Sequence, residues 1–184
     1  QRNNNIEQSI QDAINDVDRY AGIKWPLVGC TAAIVIIIED DIYIANVGDS
    51  RVILVENGTA KRCTVDHRSA DPEERKLVIE RGGSVKNDRV NGTLMLSRSI
   101  GDGNLGKAVG TDAHFERIKR KDGMKLIIAC DGVFDVMSDQ MAADLLMKCS
   151  RLPEAAKLIK DESIRLDTKD NVSCIVVDLT PKDT

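Results

Sequence analysis

A chain of 184 residues is long enough for one domain with a sizeable core, and 42% hydrophobic with 30% charged content is the composition of a globular protein rather than a disordered one. A formal charge of −4, with lysines and arginines scattered, offers no basic footprint for nucleic acid. The longest apolar run, Ala32 to Ile38, is too short to span a bilayer, and the polar start QRNNNIEQ has no signal-peptide core.

The chain opens on Ile6 to Tyr20, where Ile6, Ile10, Ala13, Ile14 and Val17 recur at helical spacing; this predicts an amphipathic helix that ends before Gly22, Pro26 and Gly29. Three strand-like runs follow: Thr31–Ile38, Ile42–Val47 and Arg51–Glu56. Turn residues Glu39–Asp41 and Gly48–Ser50 separate them, so consecutive antiparallel pairing is expected. Asn57-Gly58 predicts a hairpin into a fourth run that ends near Cys63.

In DPEERKLVIERGG, Asp71 is placed to cap a helix, Pro72 suits its first position, and Gly82-Gly83 closes it. Residues 85 to 96, with Asn91-Gly92, read as a short hairpin, and Ser97 to Gly110 as loop. Strands are expected at Ala113–Lys119 and Met124–Cys130. Two helices come next, one capped by Ser138 and one opened by Pro153-Glu154 and running to Leu166. A final strand covers Val172–Leu179. Strands cluster instead of alternating with helices, and runs such as LIIAC are apolar on both faces. The fold class is therefore α+β with antiparallel sheets covered on both sides.

Aspartates recur at strand ends. Asp49 follows one run, Asp131 ends LIIAC, Asp170 precedes the last strand, and Asp131, Asp135 and Asp139 are spaced by four. Carboxylates converging on one rim repel unless cations neutralise them, and oxygen-only ligands suit Mg²⁺ or Mn²⁺. His67 and His114 show no zinc spacing. Taken singly, each of these acids also reads as a turn residue that bonds its local backbone. On the acids alone, a calcium- or nucleotide-binding module stays open. The cysteines (Cys30, Cys63, Cys130, Cys149 and Cys174) form no C-x-x-C pair, which points to a reducing, cytoplasmic setting.

Seven blocks occur in order: GCTAA (Gly29–Ala33), ANVGDSRVIL (Ala45–Leu54), VDHRSADPEE (Val65–Glu74), ERGGSV (Glu80–Val85), RVNGTLMLSRSIGD (Arg89–Asp102), ACDGVFDVMSD (Ala129–Asp139) and DNVSCIVV (Asp170–Val177). Together they resemble the type 2C metal-dependent protein serine/threonine phosphatases, the PPM family. The resemblance implies two stacked antiparallel β-sheets flanked by helices, and one phosphatase-like domain over residues 1–184, with a flap and active-site-side loop within 65–110. It implies Asp131 and Asp170 as ligands of catalytic Mg²⁺ or Mn²⁺, Asp49 and Asp135 at a third metal position, Arg89 beside the phosphoprotein substrate, and no cysteine nucleophile. Asp139 receives no role beyond a solvated or helix-start one.

The family's earlier segment, with a Glu and an Asp-Gly-His-Gly stretch that includes a proposed general acid, has no counterpart before Gly29. The expectation is a piece of a longer phosphatase with little activity of its own, prone to self-association through exposed sheet edges. The alternative is a phosphatase-like regulatory or binding module.

Overall fold

The computed structural model describes residues 5–180. Helix α1 spans Ile6–Lys24 and is capped by Asn5, whose side chain accepts the Gln8 N–H. It runs four residues past the expected end, straight through Gly22, and Gly103 packs on this turn, where a Cβ on Gly103 would stand 2.4 Å from the Gly22 carbonyl oxygen. Only Ile10 and Ile14 of its apolar face are buried, and Val17 is 56% exposed.

Strands β1 (Gly29–Cys30), β2 (Ala32–Ile38), β3 (Asp41–Val47), β4 (Arg51–Glu56) and β5 (Thr59–Arg62) follow. Helix α2 (Pro72–Glu80) begins at Asp71, whose carboxylate accepts the amides of Glu73 and Glu74. Then come β6 (Val85–Lys86), β7 (Arg89–Val90), β8 (Ile100–Gly101), a 3-10 segment at Gly103–Ala108, β9 (His114–Lys119) and β10 (Lys125–Ala129). The chain ends with α3 (Asp131–Phe134), α4 (Asp139–Met147), α5 (Leu152–Arg165) and β11 (Cys174–Asp178). Ser138 caps α4 as its sequence promised, its hydroxyl accepting the Met141 amide.

Consecutive pairing holds for β4 with β5 and fails for β3 with β4. The four-stranded sheet runs β11-β10-β4-β5, and β2-β3-β9 form a separate sheet. With β10 on one edge (Ile127 opposite Ile53) and β5 on the other (Leu54 opposite Lys61), β4 has no edge left for β3. Asn57 and Gly58 both take positive φ, the geometry of a type I′ turn between β4 and β5. In the β6–β7 hairpin the turn is Asn87-Asp88, both at positive φ, and Asn91-Gly92 makes a second turn just beyond it. The stretch read as loop is partly ordered too: β8 pairs with β1, Cys30 opposite Ile100.

The chain divides into two compact units. One takes in the described residues through Ile34 with Ala45–Asp49 and Asp66–Phe115; the other takes Val35–Ile44, Ser50–Val65 and the residues from Glu116 onward. In the second unit, Ile53, Val55, Ile127 and Ala129 on one sheet face pack with Phe134, Leu146 and Ile159 of the helices. The other face carries Val52, Leu54 and Leu126, also buried, which is why these strands are apolar throughout. Among the described residues no helix is long and apolar enough to cross a membrane.

Candidate functional site

Strand β10 leads directly into Asp131. It pairs antiparallel with β11, Ala129 opposite Cys174, so the chain entering β11 lies beside the chain leaving β10. Three bonds knit the rim: Cys130 N–H to the Ser173 carbonyl at 3.3 Å, Cys130 Sγ to the Asn171 carbonyl at 3.2 Å, and Ser173 N–H to Cys130 Sγ at 3.2 Å. Next comes Gly132, where a Cβ would stand 2.2 Å from the Asn171 carbonyl oxygen. The Asp131 and Asp170 backbones therefore meet at one end of the sheet, and each carboxylate accepts the amide that follows it, Gly132 at 2.9 Å and Asn171 at 2.7 Å.

The three acids spaced by four do not share one helix. Asp131 opens α3, Asp135 is its C-cap, and Asp139 opens α4. Asp139 is not simply solvated: it bonds Arg51 at 3.0 Å and Arg62 at 2.8 Å, and Arg51 lies over the Phe134 ring. Two guanidinium groups offset the like-charge repulsion and pin the start of α4 to β4 and β5.

Asp49 belongs to the other unit. It is 7% exposed and pairs with Arg68 at 3.0 Å. His67 fixes this turn: its Nδ1 accepts the Gly48 amide at 3.1 Å, its own amide donates to the Gly48 carbonyl, and its carbonyl accepts the Ser97 amide. The ring is therefore a neutral tautomer with Nδ1 as acceptor. Burial, then the nearby Arg98 charge, push its pKa well below the ordinary 6.5. Glu74 sits in the same network. Burial alone would raise its pKa, but hydrogen bonds from Arg98 and Ser97 overcome that and hold it low. Arg89 is exposed on β7 and donates to the Thr93 carbonyl at 2.7 Å.

Burial pushes the Cys63 thiol up to about 11 and that of Cys174 up to about 12. Both stay protonated at neutral pH and are poor nucleophiles. An oxygen donor set at the Asp131–Asp170 rim suits a hard divalent cation. Among the described residues, though, no group of three or more His, Cys, Asp or Glu is gathered closely enough to hold an ion. The partner Arg68, the Glu74–Arg98 pair and the close approach at Gly132 escaped sequence reasoning. The one available signal was the density of polar residues in VDHRSADPEE, and it does not say who pairs with whom.

Residues 2–172 match the profile of protein phosphatase 2C. The chain belongs to the protein phosphatase 2C family. Protein phosphatase 2C homolog 1 of Saccharomyces cerevisiae is 34% identical over 195 residues, an alignment covering 92% of this chain and 69% of the yeast protein. This chain spans about half the length of several other curated relatives. A sex-determining protein of C. elegans superposes with a TM-score of 0.88 at 24% identity, over 98% of this chain and 48% of that one. The PstP catalytic domain, solved with two manganese ions, superposes at 0.69 and 17% identity over 96% of this chain and 70% of that one. These matches confirm the α+β fold with antiparallel sheets and helices.

Two outcomes test the site. Gly132→Ala is expected to lower stability by roughly 1–3 kcal/mol, because backbone rather than a flexible side chain must yield; urea unfolding measures it, and an unchanged midpoint would show that the contact is slack. Between its depressed pKa and 6.5, His67 binds fewer protons folded than unfolded. Its contribution is thus complete above 6.5 and is lost as pH falls toward the folded value. Unfolding midpoints at pH 7.5 and pH 5 should differ by less in His67→Gln than in the parent chain.

Proposed function

We propose that this chain carries the metal-binding rim of a protein serine/threonine phosphatase, which hydrolyses phosphoserine and phosphothreonine esters of proteins with Mg²⁺ or Mn²⁺. The observation that carries the reading is the joint placement of Asp131 and Asp170 at the Gly132–Asn171 contact, in a chain of this family. Asp131 and Asp170 would hold catalytic cations, and Asp135 and Asp49 would each be a further cation ligand. The cations, when bound, supply a more acidic water and neutralise phosphate charge. The residues themselves do the rest. The amides of Gly132 and Asn171 orient the two carboxylates, and exposed Arg89 offers a cation to substrate phosphate. The flap would lie within residues 65–110 of a single phosphatase-like domain. The five cysteines are all free, which fits a reducing cytoplasmic setting.

A second reading, a phosphatase-like binding module without catalysis, draws on the absence of a third close donor among the described residues. Both readings expect cation binding at the rim and little hydrolysis by this chain alone. Mn²⁺ should broaden the amide NMR signals of Asp131–Asp135 and Thr168–Asn171 first, and Asp131→Asn with Asp170→Asn should abolish the effect. Broadening elsewhere only would sink the site assignment. Rapid Mn²⁺-dependent turnover of a phosphopeptide by these residues would instead show that the site needs no further donor.

Self-association is part of the proposal. Ile37 and Ile38 on edge strand β2, and Ile175 on edge strand β11, are 41%, 41% and 59% exposed. Unpaired apolar edges of this kind invite pairing between copies. Light scattering should show mass rising with concentration; a constant monomer mass would remove this element.

A further inference from the structure

The unit that contains α1 also holds a cleft of about 780 Å³, within the size range of small-ligand sites. The last turns of α1, Arg81 just beyond α2, and residues 101–112 wall it. Its charged lining is Arg19, Arg81 and Lys107 against Asp18 and Asp112. Both acids are already engaged: Asp18 accepts the Gly101 amide at 2.8 Å, and Asp112 accepts Arg81 Nη2 at 2.9 Å. Among the described residues Arg19 pairs only with Asp16, on the open surface, where such pairs are weak.

Arg81 itself is the unusual element. Its second terminal nitrogen, Nη1, is buried and has no hydrogen-bond partner among the described residues. A buried charged donor left unmatched gives up its hydration for nothing, so native proteins seldom keep one without an acceptor to meet it. Nor is the group loose. A Cβ on Gly110 would stand 2.4 Å from Arg81 Cζ and 2.5 Å from each terminal nitrogen, so the guanidinium lies flat on the Gly110 backbone. That backbone is fixed in turn, its amide donating to the Ser97 carbonyl and its carbonyl accepting the Ser99 amide, both at 3.0 Å. A planar charge packed on the Gly110 backbone, with one edge bound to a carboxylate and the other unmatched and shielded from solvent, gains from an oxyanion that reaches it through a small shift of the side chain.

We propose that this cleft binds a phosphate monoester, with Arg81 as the anchoring donor and Arg19 and Lys107 as flanking cations. An excess of one cation over the two engaged acids favours an anion, and the volume leaves room for the group esterified to it. A phosphorylated side chain of a peptide and a small phosphorylated molecule share this chemistry. The site uses none of Asp49, Asp131, Asp135 or Asp170, so it stands apart from the metal reading above.

The test is an NMR titration of the whole chain in EDTA, which silences any metal site, with inorganic phosphate, O-phosphoserine and a short phosphoserine peptide in turn. Saturable shifts centred on Gly110 and Thr111 are expected in the millimolar range. Arg81→Gln should weaken binding roughly tenfold, the loss of one charge-assisted anchor. Lys107→Gln and Arg19→Gln, on the surface and harmless to folding, should each weaken it several-fold and keep the proposal testable if the Arg81 variant unfolds. Tighter binding of the peptide than of O-phosphoserine assigns the source to a phosphoprotein; equal affinities assign it to a small molecule. No saturable shift at Gly110, or undiminished affinity in the Lys107 and Arg19 variants, overturns the proposal.

Discussion

Only hydrogen atoms on Gly132 let its backbone come as close to the Asn171 carbonyl as it does. That approach sets how near the turn after β10 can lie to the turn before β11, and so how near Asp131 lies to Asp170. The sheet behind it does the coarse positioning through the antiparallel register of β10 and β11. The glycine does the fine positioning. A rim built this way is stiff because the strands behind it are anchored in a core that includes Ile53, Ile127, Phe134 and Ile159.

In both units, acids are met by arginines. In one, Asp139 is neutralised by Arg51 and Arg62. In the other, Asp49 has Arg68 at 3.0 Å, and Glu74 is held by Arg98 and Ser97. A cation approaching Asp49 must therefore compete with a guanidinium that is already there. The competition couples any cation at that carboxylate to the position of the Arg68 side chain.

Much of this architecture was legible in the residues. The strand runs of β2 to β4 and β10 show as apolar, largely β-branched stretches bounded by turn residues, β5 shows through Asn57-Gly58, and α2 shows through Asp71, Pro72 and Gly82-Gly83. The acids at the rim were legible as a pattern, and their proposed role as metal ligands rests on the family likeness. Partner choice was not legible: nothing in RVILVE says that β10 rather than β3 takes its edge, since pairing depends on burial contributed from far along the chain. The order in Ser97–Gly110 was hidden for the same reason, because β8 exists only by pairing with β1. The helix through Gly22 ran against local propensity, at a turn that packs closely on Gly103.

The strand order β11-β10-β4-β5 carries a cost during synthesis. Once Arg62 has left the ribosome, the β4–β5 hairpin can close on its own, but the free edge of β4 must wait until Ala129 has emerged. At translation speeds of about 5–20 residues per second, that edge stays bare for several seconds, apolar on both faces. Through that interval the bare apolar edge is a template on which another strand could pair.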